Sequence, residues 1–136
     1  MRWKCTVAYE GTSFDGWQAQ QGGNTVQQVI EKRLSYLFDR PVRIQGSGRT
    51  DSGVHARGQV FHFDGNWSHG SRDLINALKT GIPESIRVYE AEVVEDDFHA
   101  RFSATGKCYI YRFYEGDALP FETRYCLSLG KRRVDL

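Results

Sequence analysis

The sequence predicts an α+β fold in which an antiparallel sheet carries two helices on one face. Apolar and polar residues alternate in several short stretches, as in strands, and apolar residues recur at helical spacing in two longer ones. The elements follow the order strand, helix, strand, strand, helix, strand, with one further strand after them. This order is the split βαβ pattern of a ferredoxin-like sandwich.

The first strand and the first helix have the clearest patterns. Residues 2–9 alternate between apolar and polar side chains, which indicates a strand with one buried face. Thr25 and Gln28 have the spacing of a capping box, and apolar residues at helical spacing follow them. These signals predict a helix over 25–38 that ends before Pro41.

The remaining elements are shorter. Further strands are predicted at 42–45, 58–63, 86–94 and 107–114. Ser71 is expected to cap the second helix, which Gly81 and Pro83 end. We predict one domain over residues 1–126 and a linker over residues 127–136, where a basic run is followed by the end of the chain.

The composition is that of an ordinary soluble protein. The 136 residues carry a formal net charge of +1, so any interaction with nucleic acid must depend on a local patch of charge. The three cysteines have neither metal-ligand nor redox spacing, which favours a reduced, cytoplasmic protein. The sequence shows no signal core and no membrane-spanning run, so we expect no membrane partner. His55, His62 and His69 recur at seven-residue steps, a spacing with no common geometric meaning, so we expect no metal site.

Residues 46–55, with the sequence GSGRTDSGVH, are too rich in glycine for the interior of a helix or a central strand. Arg49 and Asp51 lie two residues apart, so their side chains can meet or converge on one ligand. Such a pair would favour ionised Asp51, and an ionised, positioned carboxylate is a candidate nucleophile or base. From spacing alone, a solvated turn with a surface ion pair is the favoured interpretation.

Two further stretches are candidates for contact with RNA. Gln18 and Gln20 follow Trp17 in a loop, and amides and an indole can contact the edge and the face of a nucleobase. Trp17 by itself is explained more simply as an anchor to the core. Tyr109 and Tyr111 share one face of the last predicted strand. Core packing is the default for such a row, and a base-stacking platform is the alternative.

Taken together, these stretches resemble the N-terminal half of the bacterial tRNA pseudouridine synthase A family. The matching stretches occur in the family's order and span nearly the whole chain. They are YEG at 9–11, FDGWQAQ at 14–20, TVQ at 25–27, GRTDSGVHA at 48–56, DFHARFSA at 97–104 and KCYIY at 107–111.

The resemblance implies isomerisation of uridine to pseudouridine in the anticodon stem-loop of tRNA, without a cofactor. By that likeness Asp51 is the catalytic carboxylate, which attacks either the uracil ring or the ribose anomeric carbon. Arg49 would pair with Asp51 and hold the target nucleotide out of the stack, and Tyr109 would stack on the flipped uracil. The resemblance also implies that Thr50 and His55 bind substrate. Side chains expected to contact RNA are Gln18, Gln20, Arg101 and Lys107.

The chain departs from the family pattern in two ways. Ser47 and Ser52 stand where the family commonly has alanine, and Glu10 stands where it commonly has aspartate. Family members also have a second, similarly folded half that completes the cleft, and the full-length proteins are homodimers. We therefore expect that this chain is a truncated N-terminal half that alone binds tRNA weakly.

Two other functions compete with this one. A non-catalytic RNA-binding module of RRM-like fold would need the strand tyrosines and not Asp51. A nucleotide-binding phosphate loop at residues 46–53 is disfavoured, because the final glycine is not followed by the lysine and hydroxyl residue of a P-loop.

Overall fold

The computed structural model describes residues 1–106, 108, 113–114 and 127–128. Residues 1–104 form one compact unit. In chain order its elements are β1 (Arg2–Tyr9), a 3-10 helix (Gly11–Ser13), α1 (Val26–Phe38), β2 (Gln45–Gly46), β3 (Ala56–Asp64), α2 (Ser71–Lys79) and β4 (Ile86–Val94).

The four strands form one sheet in the order β2-β3-β1-β4, and every neighbouring pair is antiparallel. β1 and β2 therefore run in the same direction with β3 between them, which is the split βαβ arrangement. The predicted α+β fold is confirmed. One consequence positions the site: the loop that leaves β1 and the loop that enters β3 meet at the same end of the sheet.

One face of β1 lies in the core, together with apolar side chains from both helices. The largest fully buried side chains include Trp17, Phe61 and Phe63. Core residues from the first strand and the helices are Trp3, Cys5, Val7, Tyr9, Val26, Ile30, Leu34, Leu74 and Leu78. Burial raises the pKa of the Cys5 thiol to about 12, so this sulfur is inert at neutral pH.

The first helix confirms its prediction, since Thr25 caps it and Gln28 completes the capping box. The predicted strand over 42–45 is wrong, because only Gln45–Gly46 pairs with β3. The backbone just before it bonds to side chains of α1 instead: Ile44 N donates to Glu31 Oε2 at 2.9 Å. Side-chain acceptors on the helix therefore replace a strand ladder there.

The second helix differs from its prediction at the N-terminus. Gly70, rather than Ser71, is the N-cap residue, and no side chain caps this end. Ser71 instead occupies the first turn. Glycine has no Cβ and adopts the extended cap conformation readily, so the backbone can turn into the helix one residue earlier.

The segment 95–104 packs against the sheet face opposite the helices. Arg2 Nη1 donates to the carbonyl of Phe98 at 2.6 Å, and the Ala100 N–H donates to Nδ1 of His62 at 3.0 Å. His62 is buried, and its ring lies edge-on to the ring of His99. Burial, with the nearby Arg2 guanidinium and the His99 ring, lowers the pKa of His62 from 6.5 to about 4.

Residues 105–136 form a second unit. Within it, β5 (Phe113–Tyr114) pairs in parallel with β6 (Leu127–Ser128). The rest of the predicted strand over 107–114 lies outside the described residues. The boundary predicted at residue 126 stays a prediction, and the first two residues of the predicted linker form a short strand. Among the described helices, none has the length and apolar character needed to cross a membrane.

The stability of the folded chain should fall as the pH is lowered from about 7 to about 4. In this window the unfolded chain protonates His62, whereas the folded chain keeps it neutral, so protons favour unfolding. A pKa difference of this size corresponds to about 3 kcal/mol. Urea unfolding across this pH range measures the change.

The variant His62→Asn should flatten this part of the pH dependence, since an asparagine carbonyl can still accept from Ala100 N–H but does not titrate. The exposed His69 offers the matched control, and His69→Asn should leave the fall in the free energy of unfolding between pH 7 and pH 4 about as steep as in wild type. An unchanged slope in His62→Asn would contradict the assignment.

Candidate active site

The Asp51 loop, defined as residues 47–55, joins β2 to β3. Its tip is a turn in which the Asp51 carbonyl accepts from Val54 N–H at 3.1 Å. Gly53 has φ +81° at the third position, which is the conformation of a type II turn and strongly favours glycine. The Asp51 side chain is exposed at this tip.

A second loop, the support loop of residues 10–17, holds the backbone on both sides of Asp51. On one side Trp17 N–H donates to the Thr50 carbonyl at 3.2 Å. On the other side Gly53 N–H donates to the Phe14 carbonyl at 3.2 Å. Gly16 lies beside the bond from Trp17 to Thr50. Its φ is +86°, and a Cβ there would lie 2.5 Å from the Thr50 carbonyl oxygen. The two backbones therefore touch without an intervening side chain.

Side chains add to this contact around Thr50. The Thr50 hydroxyl lies 2.7 Å from the Tyr9 hydroxyl, at the end of β1. The sequence predicted Thr50 as a substrate-binding residue, and in the structure its half-buried hydroxyl bonds within the protein.

Trp17 lies beneath both loops and is 1% exposed. Its ring stacks on Tyr9, with centroids 6.0 Å apart, and contacts Phe61. A Cβ on Gly46 would lie 2.4 Å from its Nε1, so the end of β2, just before the Asp51 loop, passes directly over the indole. Trp17 is thus the core anchor of the loop, in agreement with the simpler of its two interpretations.

His55 closes the other end of the Asp51 loop. Its Nδ1 accepts from Gly11 N–H at 2.8 Å and lies 3.2 Å from Oε1 of Glu10. The same Glu10 oxygen accepts from the backbone N–H and the hydroxyl of Thr12, which shapes the 3-10 helix. His55 therefore binds the support loop through Nδ1.

The cation predicted to pair with Asp51 does not do so here. Arg49 and Asp51 are both exposed, and among the ion pairs of the described residues none joins them. Arg49 therefore stays exposed two residues before the carboxylate at the tip.

The predicted RNA-contacting residues are dispersed. Gln18 and Gln20 are exposed, and Gln20 Nε2 donates to the Asp15 carbonyl at 2.9 Å. Arg101 is exposed and its guanidinium lies 5.9 Å from the centroid of the Phe102 ring. Lys107 and Tyr109 lie outside the described residues, so their roles stay predictions.

Sequence reasoning missed the residues that hold the Asp51 loop. Gln59 on β3 accepts from the Ser47 hydroxyl at 2.8 Å and donates to the Gly48 carbonyl at 2.6 Å. Gly11 and Gly16 allow the close approach of the two loops. The presence of these two glycines indicated a close approach of backbone, but the sequence does not show which part of the chain they approach. Within the described part of the chain, no cluster of three or more His, Cys, Asp or Glu residues is arranged to hold a metal ion.

Comparison with known proteins identifies similar chains. A family model described as tRNA pseudouridine synthase matches residues 6–103. The chain is 53% identical over 112 residues to tRNA pseudouridine synthase A of Akkermansia muciniphila, covering 81% of this chain and 42% of that protein. It is 46% identical over 110 residues to the enzyme of the same name from Exiguobacterium sibiricum, covering 81% of this chain and 44% of that protein.

A longer match is to tRNA pseudouridine synthase A 1 of Desulfotalea psychrophila. The identity there is 40% over 129 residues, covering 95% of this chain and 51% of that protein. The chain thus spans about half the length of the curated relatives it matches.

A Cβ at Gly16 should disturb the Asp51 loop more than a Cβ at another glycine with positive φ. Gly22 is the matched control, since its φ is +68° and a Cβ there meets nothing within 4 Å. Gly22→Ala should lower the free energy of unfolding by about 1 kcal/mol through backbone strain alone. Gly16→Ala adds a clash with the Thr50 carbonyl and should lower it by more than about 2 kcal/mol.

Chemical denaturation measures both variants, and hydrogen exchange of the Trp17 and Gly53 amides locates the effect. Equal losses in the two variants, with unchanged exchange at these amides, would show that the loops do not depend on this contact.

Proposed function

This chain belongs to the tRNA pseudouridine synthase family, and from that membership we propose that it carries the reactive carboxylate of such an enzyme, Asp51. The substrate proposed is a uridine in the anticodon stem-loop of tRNA, and the product is pseudouridine. The observation that carries the proposal is the geometry of the loop tip. There the Asp51 side chain is exposed while the backbone on both sides of it is held by the support loop.

The reaction needs a positioned group of this kind. The bond from ribose C1′ to uracil N1 breaks, a new bond from C1′ to C5 forms, the hydrogen on C5 leaves as a proton, and N1 takes up a proton from solvent. Asp51 acts as nucleophile, either at C1′, where it displaces uracil, or at the uracil ring, where it adds to a double bond, and both routes stay open. On either route the bond to Asp51 breaks again before the product leaves, which restores the carboxylate. A carboxylate on an exposed turn can approach a nucleotide only after the base has left its stack, which costs a few kcal/mol.

The residues around Asp51 suit an everted nucleotide. Arg49 is an exposed cation two residues before Asp51, and its guanidinium can bind a phosphate or hold the extruded nucleotide. Gln18 and Gln20 are exposed at the end of the support loop and just beyond it, where their amides can contact base edges. Tyr109 is proposed to stack on the uracil, and Arg101 and Lys107 to contact the RNA.

The whole protein is proposed to act in the cytoplasm as a homodimer, without a bound cofactor. The chain spans about half of its relatives, so the remaining half is proposed to supply a second wall of the cleft and further RNA contacts. On this basis residues 1–126 would form the domain that carries the Asp51 loop, and residues 127–136 the linker that leaves it.

Asp51→Asn should abolish isomerisation while leaving tRNA bound. Release of tritium from tRNA labelled at uridine C5 measures turnover, and it should fall at least about 10³-fold because the nucleophile is lost. The affinity for the same tRNA, measured by filter binding, should change less than about threefold, since the amide keeps the shape of the side chain. The exposed Asp73 on α2 provides the control, and Asp73→Asn should change neither quantity.

Turnover that survives Asp51→Asn would contradict the assignment of the nucleophile. A wild-type whole protein that binds tRNA, releases no tritium and is unaffected by the substitution would favour the RNA-binding module.

A further inference from the structure

We propose that His55 is a positioning residue that fastens the C-terminal side of the Asp51 loop to Gly11, and that this contact, rather than one with RNA, is its role. The inference rests on the proposed function in one respect, namely that Asp51 is the reacting group. It changes the role that the family resemblance implies for His55, which is to bind substrate.

The hydrogen bond defines which ring nitrogen is used. Gly11 N–H donates to Nδ1 of His55 at 2.8 Å, across 44 residues of sequence. An imidazole nitrogen that accepts a hydrogen bond carries no proton, so the neutral ring has its proton on Nε2. A ring protonated on Nδ1 would instead donate to the Glu10 carboxylate 3.2 Å away, and Gly11 N–H would lose its acceptor.

The donor is itself held firmly. Glu10 caps the 3-10 helix by accepting from Thr12 N–H at 2.9 Å, and this turn presents the amide of Gly11. Glu10 N–H donates to the Ser85 carbonyl at 2.8 Å, just before β4. The partner of His55 is therefore fixed between the end of the central strand β1 and the start of β4 rather than in a free loop.

The backbone at Gly11 lies close to the backbone at Val54, and this approach depends on the glycine. A Cβ on Gly11 would lie 2.0 Å from the Val54 carbonyl oxygen, so any other residue there would push the Asp51 loop away. Val54 is also the residue whose amide closes the turn at Asp51. The absent side chain at Gly11 and the imidazole of His55 thus serve the same contact.

The hydrogen bond between Gly11 and His55 helps to set the position of Asp51, because it lies at one end of the turn that carries this residue. Trp17 and Tyr9 hold the N-terminal side of the turn at Thr50, and His55 closes the C-terminal side one residue after Val54. Gly53 N–H also donates to the Phe14 carbonyl on this side, so loss of the bond from Gly11 removes one of the contacts that hold the C-terminal side and lets the turn shift. A displacement of about 1 Å at a reacting group can lower the rate about 100-fold, while binding by the rest of the surface is little changed.

Two substitutions separate positioning from contact with RNA. An asparagine side chain places its amide group where Nδ1 lies, so His55→Asn can still accept from Gly11 N–H. A glutamine side chain reaches further and places its amide near Nε2, so His55→Gln keeps a polar group at the outer nitrogen and loses the inner acceptor. If His55 instead contacts RNA through Nε2, glutamine is the better replacement.

The experiment uses the whole protein, this chain with its remaining half, and measures kcat and KM for tritium release from tRNA labelled at uridine C5, for the wild type and both variants. His55→Asn should keep kcat within about threefold, whereas His55→Gln should lower kcat about 10-fold to 100-fold with KM nearly unchanged. Hydrogen exchange at the Gly11 amide, followed by NMR, should be about as slow in His55→Asn as in wild type and at least about 10-fold faster in His55→Gln.

The reverse order of activities, or equal losses in both variants, would overturn the proposal. Gly11 amide exchange that does not change in His55→Gln would overturn it as well, and this readout needs no turnover. A wild-type whole protein that releases no tritium would contradict the proposed function instead, and Gly11 exchange would still decide whether His55 holds the loop. Thermal unfolding of both variants shows whether either has simply lost its fold.

Discussion

The site depends on one contact between two backbones, the support loop against the Asp51 loop. Trp17 N–H and Gly53 N–H each find a carbonyl on the opposite loop, so polar groups removed from water keep their partners. This pairing is possible only because Gly16 places no side chain between the two loops. The close contact is therefore a constraint on sequence as well as on geometry.

The sheet supplies the geometry that this contact needs. β1 is a central strand and pairs with β3, so the chain leaves β1 at Tyr9 where another part of the chain enters β3. Beneath both loops, Gln27 bridges three segments: its Oε1 accepts from Ala19 N–H, and its Nε2 donates to Glu31 and to the Ile44 carbonyl. This buried network sets the path of the chain into β2, because each polar group in it is satisfied by one specific partner.

Patterns among neighbouring residues were sufficient to predict most of the fold and the exposed glycine-rich loop of the site. The alternation in β1 and the capping box at Thr25 depend on neighbours in sequence, and both predictions are confirmed. The strand over 42–45 was wrong because Glu31, 13 residues away from Ile44, competes for its backbone. The glycines of residues 46–55 marked the exposed loop, whereas its supports at Tyr9, Phe14 and Gln59 come from distant parts of the chain, which no local pattern reveals.

The buried thiol in β1 has a consequence for how the chain can be studied. Cys5 is fully enclosed, and burial raises the pKa of its thiol to about 12, so the reactive thiolate is scarce at neutral pH even before access is considered. The exposed Cys108 has no such protection by burial. Alkylating reagents and peroxide can reach Cys5 only when the core between the sheet and the helices opens. The rate at which Cys5 is modified therefore measures how often this core opens, and the measurement needs no added label.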